Sequence, residues 1–286
     1  MLCVCLCASV PLWLAIFFMT NVTFFTARES DAATIKTDVV GSFVATLPAS
    51  LVQDPQPTYA ARSSDATTGS TQFDVDAGTA VDWDGFFLRC DLSAAAQIEL
   101  VSGTTQGGAD QTTGVISVWP TSGRPTTPPG RTTYDVLKLG SLGSKRWRRV
   151  KITDTAHPNG RINIGRMVWG KFWRPQRPHG YGTGKQVASY DLRLVTPGGH
   201  TIADSGQAGR LWSLSLPAMI EADAEDNAED LAFAIGIGRD VVVCLDPDAT
   251  TRLHRHLMLA TLESSPQIER RAHNVYATVM LLRERI

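Results

Sequence analysis

Two histidines, His254 and His256, stand two residues apart, with Asp246 and Asp248 just upstream in a Leu-Asp-Pro-Asp stretch. On a strand, positions two apart share a face, so imidazoles and carboxylates could converge on a divalent ion. A surface strand beside an Asp-Pro-Asp turn shows the same polar residues without any ion. The reading taken is no metal, with these four as the candidates should one be held. Gly180-Tyr181-Gly182-Thr183-Gly184-Lys185 has the outline of a phosphate loop. However, His179 takes the place of its first glycine and Gln186 that of its Ser or Thr, and no strand-to-helix setting surrounds it. It reads as a flexible connector. The chain has no G-x-S-x-G elbow, no H-E-x-x-H pair and no Cys/His set with zinc spacing. Its 28 acidic residues are too many for any one pair to single out a glycosidase dyad. No catalytic residue and no cofactor is nominated, and the expectation is a protein that is not an enzyme.

Binding chemistry has more to work with. Trp83, Phe86, Phe87 and Trp119 would stack on sugar rings if they stood exposed on a concave face. Lys145, Arg146, Arg148, Arg149 and Lys151 form a basic cluster; Glu221, Asp223, Glu225, Asp226, Glu229 and Asp230 form an acidic one. Solvated faces are the default explanation for both. Contact between copies of the chain is the alternative, with Arg148, Arg149, Arg166, Glu225 and Glu229 as interface charges. Trp169, Phe172 and Trp173 would then be anchors, although aromatics on a strand more often belong to a core. A formal charge of −1 argues against nucleic acid as a partner.

The elements that must position these residues are mostly strands. Hydrophobic residues at 43% suffice for a core, while 24 Gly and 15 Pro among many Ser and Thr predict frequent turns. Phe73 and Val75, Ile98 and Leu100, Ile116 and Val118, then Val150 and Ile152 alternate with polar neighbours. Turn-rich connectors at 102–113 and 121–133 separate them, which suggests a sandwich or jelly roll. Along Ile162–Trp169 the apolar phase changes midway, and a bulge at Gly165 would bring Ile162, Ile164, Met167 and Trp169 to one side. Later strands are expected at Tyr190–Leu194, Trp212–Leu216, Val241–Leu245, Leu257–Leu262 and Val275–Leu282. One long helix is predicted from Pro217 to Ile235, stopped by Gly236 or Gly238, with Ile220, Ala224, Ala228, Leu231 and Ile235 as its apolar stripe. The fold class expected is mainly β with one long helix: a β-sandwich module, then an α+β module with a mostly antiparallel sheet.

The start of the chain allows two readings. Leu2–Met19 is almost continuously apolar, as in a signal or anchor, which would make the protein secreted or membrane-anchored. It lacks a basic n-region, contains Pro11 and shows no clear cleavage site, so translation from Met19 is the other reading. Asn21-Val22-Thr23 fits a glycosylation acceptor, a pattern common by chance. Cys3, Cys5 and Cys7 crowd this leader; Cys90 and Cys244 are consistent with a disulfide or with buried thiols.

The segment Trp147–Asp154 followed by His157–Met167 resembles a recurrent stretch of phage and prophage tail proteins. There a strand leads through a D-x-x-x-P-x-G turn, here Asp154 to Gly160, into an I-x-I-G-R strand, here Ile162 to Arg166. Phe172-Trp173-Arg174-Pro175 looks like the aromatic-Pro exit that follows, and the later order of strand, acidic helix, Leu245–Asp248 turn and paired strands is similar too. Asp54–Pro57 and Asp91–Ala96 resemble pieces of a galactose-binding-like jelly roll in the same proteins. The resemblance implies a non-enzymatic tail-tip, distal-tail or baseplate subunit. Its parts would be a leader at 1–18, an arm at 19–40, a jelly roll at 41–172, a linker at 173–187 and a ring-forming, belt-like module at 188–286. Implied partners are further copies in a ring and other tail proteins, in a virion assembled in the host cytoplasm. The alternative is a carbohydrate-binding module for bacterial surface glycans, using Trp83, Phe86 or Trp119.

Overall fold

The computed structural model describes residues 21–286 apart from 57, 121–122, 126–132, 181–182, 190–191, 198–200, 205–207 and 250–251. The leader, Met19, the three leader cysteines, Tyr190 and most of the 121–133 connector lie outside the described residues. The chain is mainly β. In order run β1 (Thr23–Thr26), α1 (Arg28–Ala32), β2 (Thr34–Lys36), β3 (Ala61–Arg62), β4 (Gln72–Asp82), β5 (Gly85–Cys90), β6 (Gln97–Gly103), β7 (Gln111–Thr112) and β8 (Ile116–Ser117). Then come β9 (Tyr134–Leu139), β10 (Ser144–Thr153), β11 (Asn163–Gly170), β12 (Gly184–Ser189), β13 (Leu192–Val195), β14 (Thr201–Asp204) and β15 (Ala208–Met219). The chain ends with α2, whose wide π-type turns (Asp223–Glu229) run into an α-helical stretch (Asp230–Ile235), then β16 (Val241–Cys244), α3 (Leu253–His256), β17 (Leu257–Leu262), β18 (Ile268–Ala272) and β19 (Val275–Glu284).

Three antiparallel sheets are stacked. The outer sheet has the order β2-β4-β10-β6-β7, with β8 also on β6; the middle sheet is β3-β11-β5-β9. The third is β1-β16-β17-β19-β15-β12, with β18 also on β19. Outer and middle sheets form a sandwich around Phe73, Val75, Phe86, Leu88, Val150, Ile152, Met167 and Trp169. The other face of the middle sheet packs Phe87, Leu137 and Val168 against Phe25, Val242, Leu257 and Leu259 of the third sheet. Covered on both faces, β5 is buried at every position and shows no alternation in sequence.

The bulge at Gly165 is present. Ile164 pairs with Cys90 and Arg166 with Arg89, so one extra residue sits opposite a continuous β5. Ile162, Ile164, Met167 and Trp169 consequently share the sandwich core, while Val168 faces the other way.

Module boundaries differ from expectation. β1 belongs to the third sheet, against β16, whereas β2 joins the outer sheet, so the 19–40 arm is divided between the two parts. The sandwich is thus an insertion after the first strand of the C-terminal module. The chain returns at Trp173, which exchanges backbone bonds of 2.9 and 2.8 Å with Phe24. Asn21, the candidate glycosylation site, donates its side-chain amide to the Pro175 carbonyl at 2.6 Å. Gly184–Val187, expected at the end of a linker, belong to strand β12 (Gly184–Ser189).

The single long helix is not found. Pro217 lies inside β15, where a register shift between Leu216 and Met219 makes its missing N–H harmless. The helix that follows has 13 residues and stops at Gly236, whose φ of 50° suits glycine. The stripe was legible: Ala224, Ala228, Leu231 and Ile235 are buried against the third sheet. Cys90 and Cys244 are buried free thiols.

Candidate functional site

The polar residues nominated from the sequence are mostly engaged inside the chain. Arg166, fully buried on β11, donates to both oxygens of Asp31 at 2.7 Å and from Nε to Asp240 at 2.9 Å. Asp240 also accepts from Arg285 at 2.8 Å. Beside this cluster, Arg89 grips Asp135 through two bonds of 2.7 and 3.0 Å and donates to the Arg285 carbonyl at 2.6 Å. Arg210 of β15 pairs with Glu284 and comes within 4.0 Å of Asp135. Both clusters cross from the middle sheet to the third. Buried charges persist only where they are paired in this way.

Arg148 is also buried, facing inward with Val150 and Ile152. Its guanidinium donates to the carbonyls of Val81 and Gly143 at 2.7 and 2.8 Å and lies 5.9 Å from the ring centres of both Trp83 and Trp169. Burial pushes its pKa down to about 10, which Asp82 offsets only in part. Arg148, Arg166 and Trp169 therefore offer no surface to a second copy. The rest of the basic cluster is matched across the outer sheet: Lys145 with Asp110, Arg146 with Asp76, Arg149 with Asp74 and Lys151 with Glu99, all within 3.1 Å. Trp173 stacks on Phe24 and donates to Asp223 at 3.0 Å, and Phe172 packs against the inter-module core. Asp223 is thus buried rather than part of the acidic surface, while Glu225 and Glu229 are exposed.

The aromatics expected on a sugar-binding face are core residues instead. Trp83, Phe86 and Phe87 are at most 1% exposed and Trp119 is 7% exposed. Trp83 donates to Glu29 at 2.6 Å and Trp119 to the Ser93 carbonyl at 2.7 Å. His254 and His256 sit on the single turn α3, not on a strand, so they do not share a face. Among the described residues no group of three or more His, Cys, Asp or Glu converges as a metal site would require. At the start of the phosphate-loop look-alike, Gly180 donates to the Ser215 carbonyl at 2.9 Å; Tyr181 and Gly182 lie outside the described residues.

Two segments that carry the tail-protein resemblance meet in space. Asp154 accepts from the Ser93 N–H at 2.7 Å and from its hydroxyl, and His157 lies 3.4 Å from Asp91. Their shared task is to fix the turn that ends at Gly160, whose φ is 61°.

One concave feature was not foreseen. Where the sandwich meets the third sheet, a cleft of about 320 Å³ is lined by Trp119, Arg124, Asp135, Arg252, Leu253 and His254, among others. Arg124 donates to the Leu92 carbonyl at 3.1 Å and lies 5.2 Å from the Tyr134 ring centre. Burial, reinforced by Arg255, Arg210, His256 and Arg252, lowers the pKa of His254 and favours its neutral imidazole. Residues 128 apart, such as Arg124 and Arg252, carry no local signal that they will meet.

No family model matches the chain, and no curated protein matches it. Among solved structures it is similar to CBM32-1 from a family 31 glycoside hydrolase of Clostridium perfringens, at 13% identity and a TM-score of 0.34, over 51% of this chain and 99% of that one. It is similar to SpGH29 at 16% identity and a TM-score of 0.33, over 51% of this chain and 28% of that one. It is also similar to the C. perfringens module CpGH89CBM32-4, in complex with GlcNAc-α-1,4-galactose, at 12% identity and a TM-score of 0.30, over 51% of this chain and 94% of that one. None of these three is named as a tail protein.

Proposed function

We propose that the chain is a non-catalytic structural subunit, a rigid two-part building block of the tail-tip kind that the Trp147–Pro175 resemblance implies. The observation that carries this reading is the inserted sandwich. It leaves the third sheet after β1, returns at Trp173, and is held by a common core and two buried ion clusters. Such a junction transmits position without a hinge, which suits an adaptor and gives an enzyme nothing. The residues that could have done acid–base chemistry are largely committed to that junction or to the outer sheet. The third sheet ends at β12, where Gly184–Val187 are exposed and no described strand pairs with the outer edge. An open edge of this kind is a template for another chain.

The test is assembly of residues 19–286, followed by light scattering and negative-stain microscopy. Closed rings or another fixed oligomer are expected. A strict monomer at every concentration, alone and with co-expressed tail proteins, overturns the reading. Mass spectrometry of the native N-terminus decides between a virion subunit begun at Met19 and a secreted or anchored protein.

A second reading is glycan binding through the sandwich. It is favoured by the junction cleft, which combines an aromatic edge, a carboxylate and two guanidinium groups. A glycan array probed with the same protein tests it; no bound glycan at any concentration up to millimolar would sink it.

A further inference from the structure

We infer that the junction cleft is a binding site for a sugar acid, a compact ligand carrying both hydroxyls and a carboxylate. The inference deepens the glycan-binding reading and rests on it. Its first support is charge. Among the described residues neither Arg124 nor Arg252 forms an ion pair, Asp135 is already gripped by Arg89, and the His254 imidazole is held toward its neutral form by its surroundings. The cleft is therefore net positive, and guanidinium forks match a carboxylate in two-point geometry.

The second support is shape and lining. At about 320 Å³ the cleft stands at the small end of ligand pockets, roughly 300–1,000 Å³. Half-buried Leu253 and the small exposed edge of Trp119 face the cleft and suit the apolar side of a ring, while Val136 and Leu137 back them from the core. Asp135, its charge matched by Arg89, keeps lone pairs that can accept from ligand hydroxyls, so the lining offers a hydroxylated acid contacts that a simple anion such as acetate cannot use.

The third support is backbone strain. Arg252 has φ 58° and ψ 22°, the left-handed conformation that a non-glycine residue enters at a cost; Asn274 is the other described case. Strain of this kind collects at ligand sites, where the side chain must be presented in one direction. Glycine at 252 would suit that backbone better than arginine does, so fold stability does not explain the residue.

The experiment is calorimetric titration of the full chain with glucuronate and N-acetylneuraminate. Galactose, N-acetylglucosamine, acetate and phosphate form the comparison arms. Binding of a sugar acid at least tenfold tighter than of its neutral counterpart or of acetate is expected, weakening as salt rises. Arg124→Gln and Arg252→Gly should each lose tenfold or more in affinity. Arg252→Gly is also expected to raise Tm by about 2–4 °C, because it relieves the left-handed strain. Loss of binding together with a gain in stability separates a ligand role from a structural one. Neutral sugars that bind as well as acids, unaffected by either variant, overturn the inference and leave the glycan reading standing. Failure of every sugar to bind overturns both. A response to phosphate or acetate equal to that of the sugar acids reduces the cleft to an anion trap and also overturns the inference.

Discussion

Arg166 shows what a single side chain decides here. Among the described residues it is the one cation paired with both Asp31, before the sandwich, and Asp240, after it. Replacing it with Met leaves Asp240 buried with Arg285 alone, while Asp31, 35% exposed, can rehydrate. Breaking a buried pair from one side costs roughly 3–5 kcal/mol, and the surviving Arg285 contact places Arg166→Met near 3 kcal/mol. Urea unfolding monitored by tryptophan fluorescence measures it, and adding Asp240→Asn should restore part of the loss. The thiols give a second prediction at this scale. Burial pushes Cys244 up to about 12 and Cys90 well above its ordinary value, so neither supplies thiolate at pH 8. A thiol reagent should label both only at the rate of unfolding, and rapid labelling of the native protein would contradict the burial. The residue types behind these features were visible in the sequence, but their partners were not. Asp31 and Arg166 are 135 positions apart, and alternation along a strand says which side a residue takes, not what waits there.

At the scale of elements, local phase was the most legible property. The change of phase after Ile164 required an extra residue, and the bulge at Gly165 supplies it. Deleting Gly165 removes the extra residue, so a regular strand keeps Ile164, Met167 and Trp169 on the sandwich side, opposite the same β5 partners, with Val168 still facing the third sheet. Cooperative urea unfolding and the native near-ultraviolet circular dichroism are expected to survive that deletion, and loss of either would show that the bulge is needed for more than phase. Helix α2 was read from its stripe correctly and from its start wrongly. Pro217 is as acceptable at a strand irregularity as in a first helical turn, and nothing local separates the two. β5 misled in another way. Its Gly-Phe-Phe-Leu-Arg-Cys run lacks alternation because both faces of its sheet are covered, and the aromatics that looked available for stacking on sugars are shared between two cores.

For the molecule as a whole, the insertion matters more than either module. β1 is fixed in the third sheet before the sandwich begins, and Phe87, Leu137 and Val168 complete a core to which the third sheet contributes the other half. Residues 34–170 expressed alone should therefore expose that face and aggregate, and a soluble, monomeric sandwich would show the junction to be dispensable. This arrangement was hidden from a reading along the chain, because four residues of β1 carry no mark of pairing with β16 across more than two hundred positions. The same architecture governs the response to acid. His179, His254 and His256 are all held below the ordinary 6.5, first by burial and then by nearby charge, Lys185 for His179 and His256 and Arg255 for His254. A base with a depressed folded-state pKa binds protons more readily once unfolded, so its contribution is intact above about 6.5 and is lost as pH falls below that value. Carboxylates held low behave differently. Asp76, held low chiefly by the hydrogen bonds of Arg146, keeps its contribution above its unfolded value near 3.8 and loses it only below that. Tm should thus stay level from pH 8 to 7, fall as pH drops below about 6.5, and fall again below about pH 4. Replacing the three histidines with Gln should remove the upper step and leave the lower one. A melting profile with a single acid step, unchanged in that variant, would show that the histidines do not couple protonation to the fold.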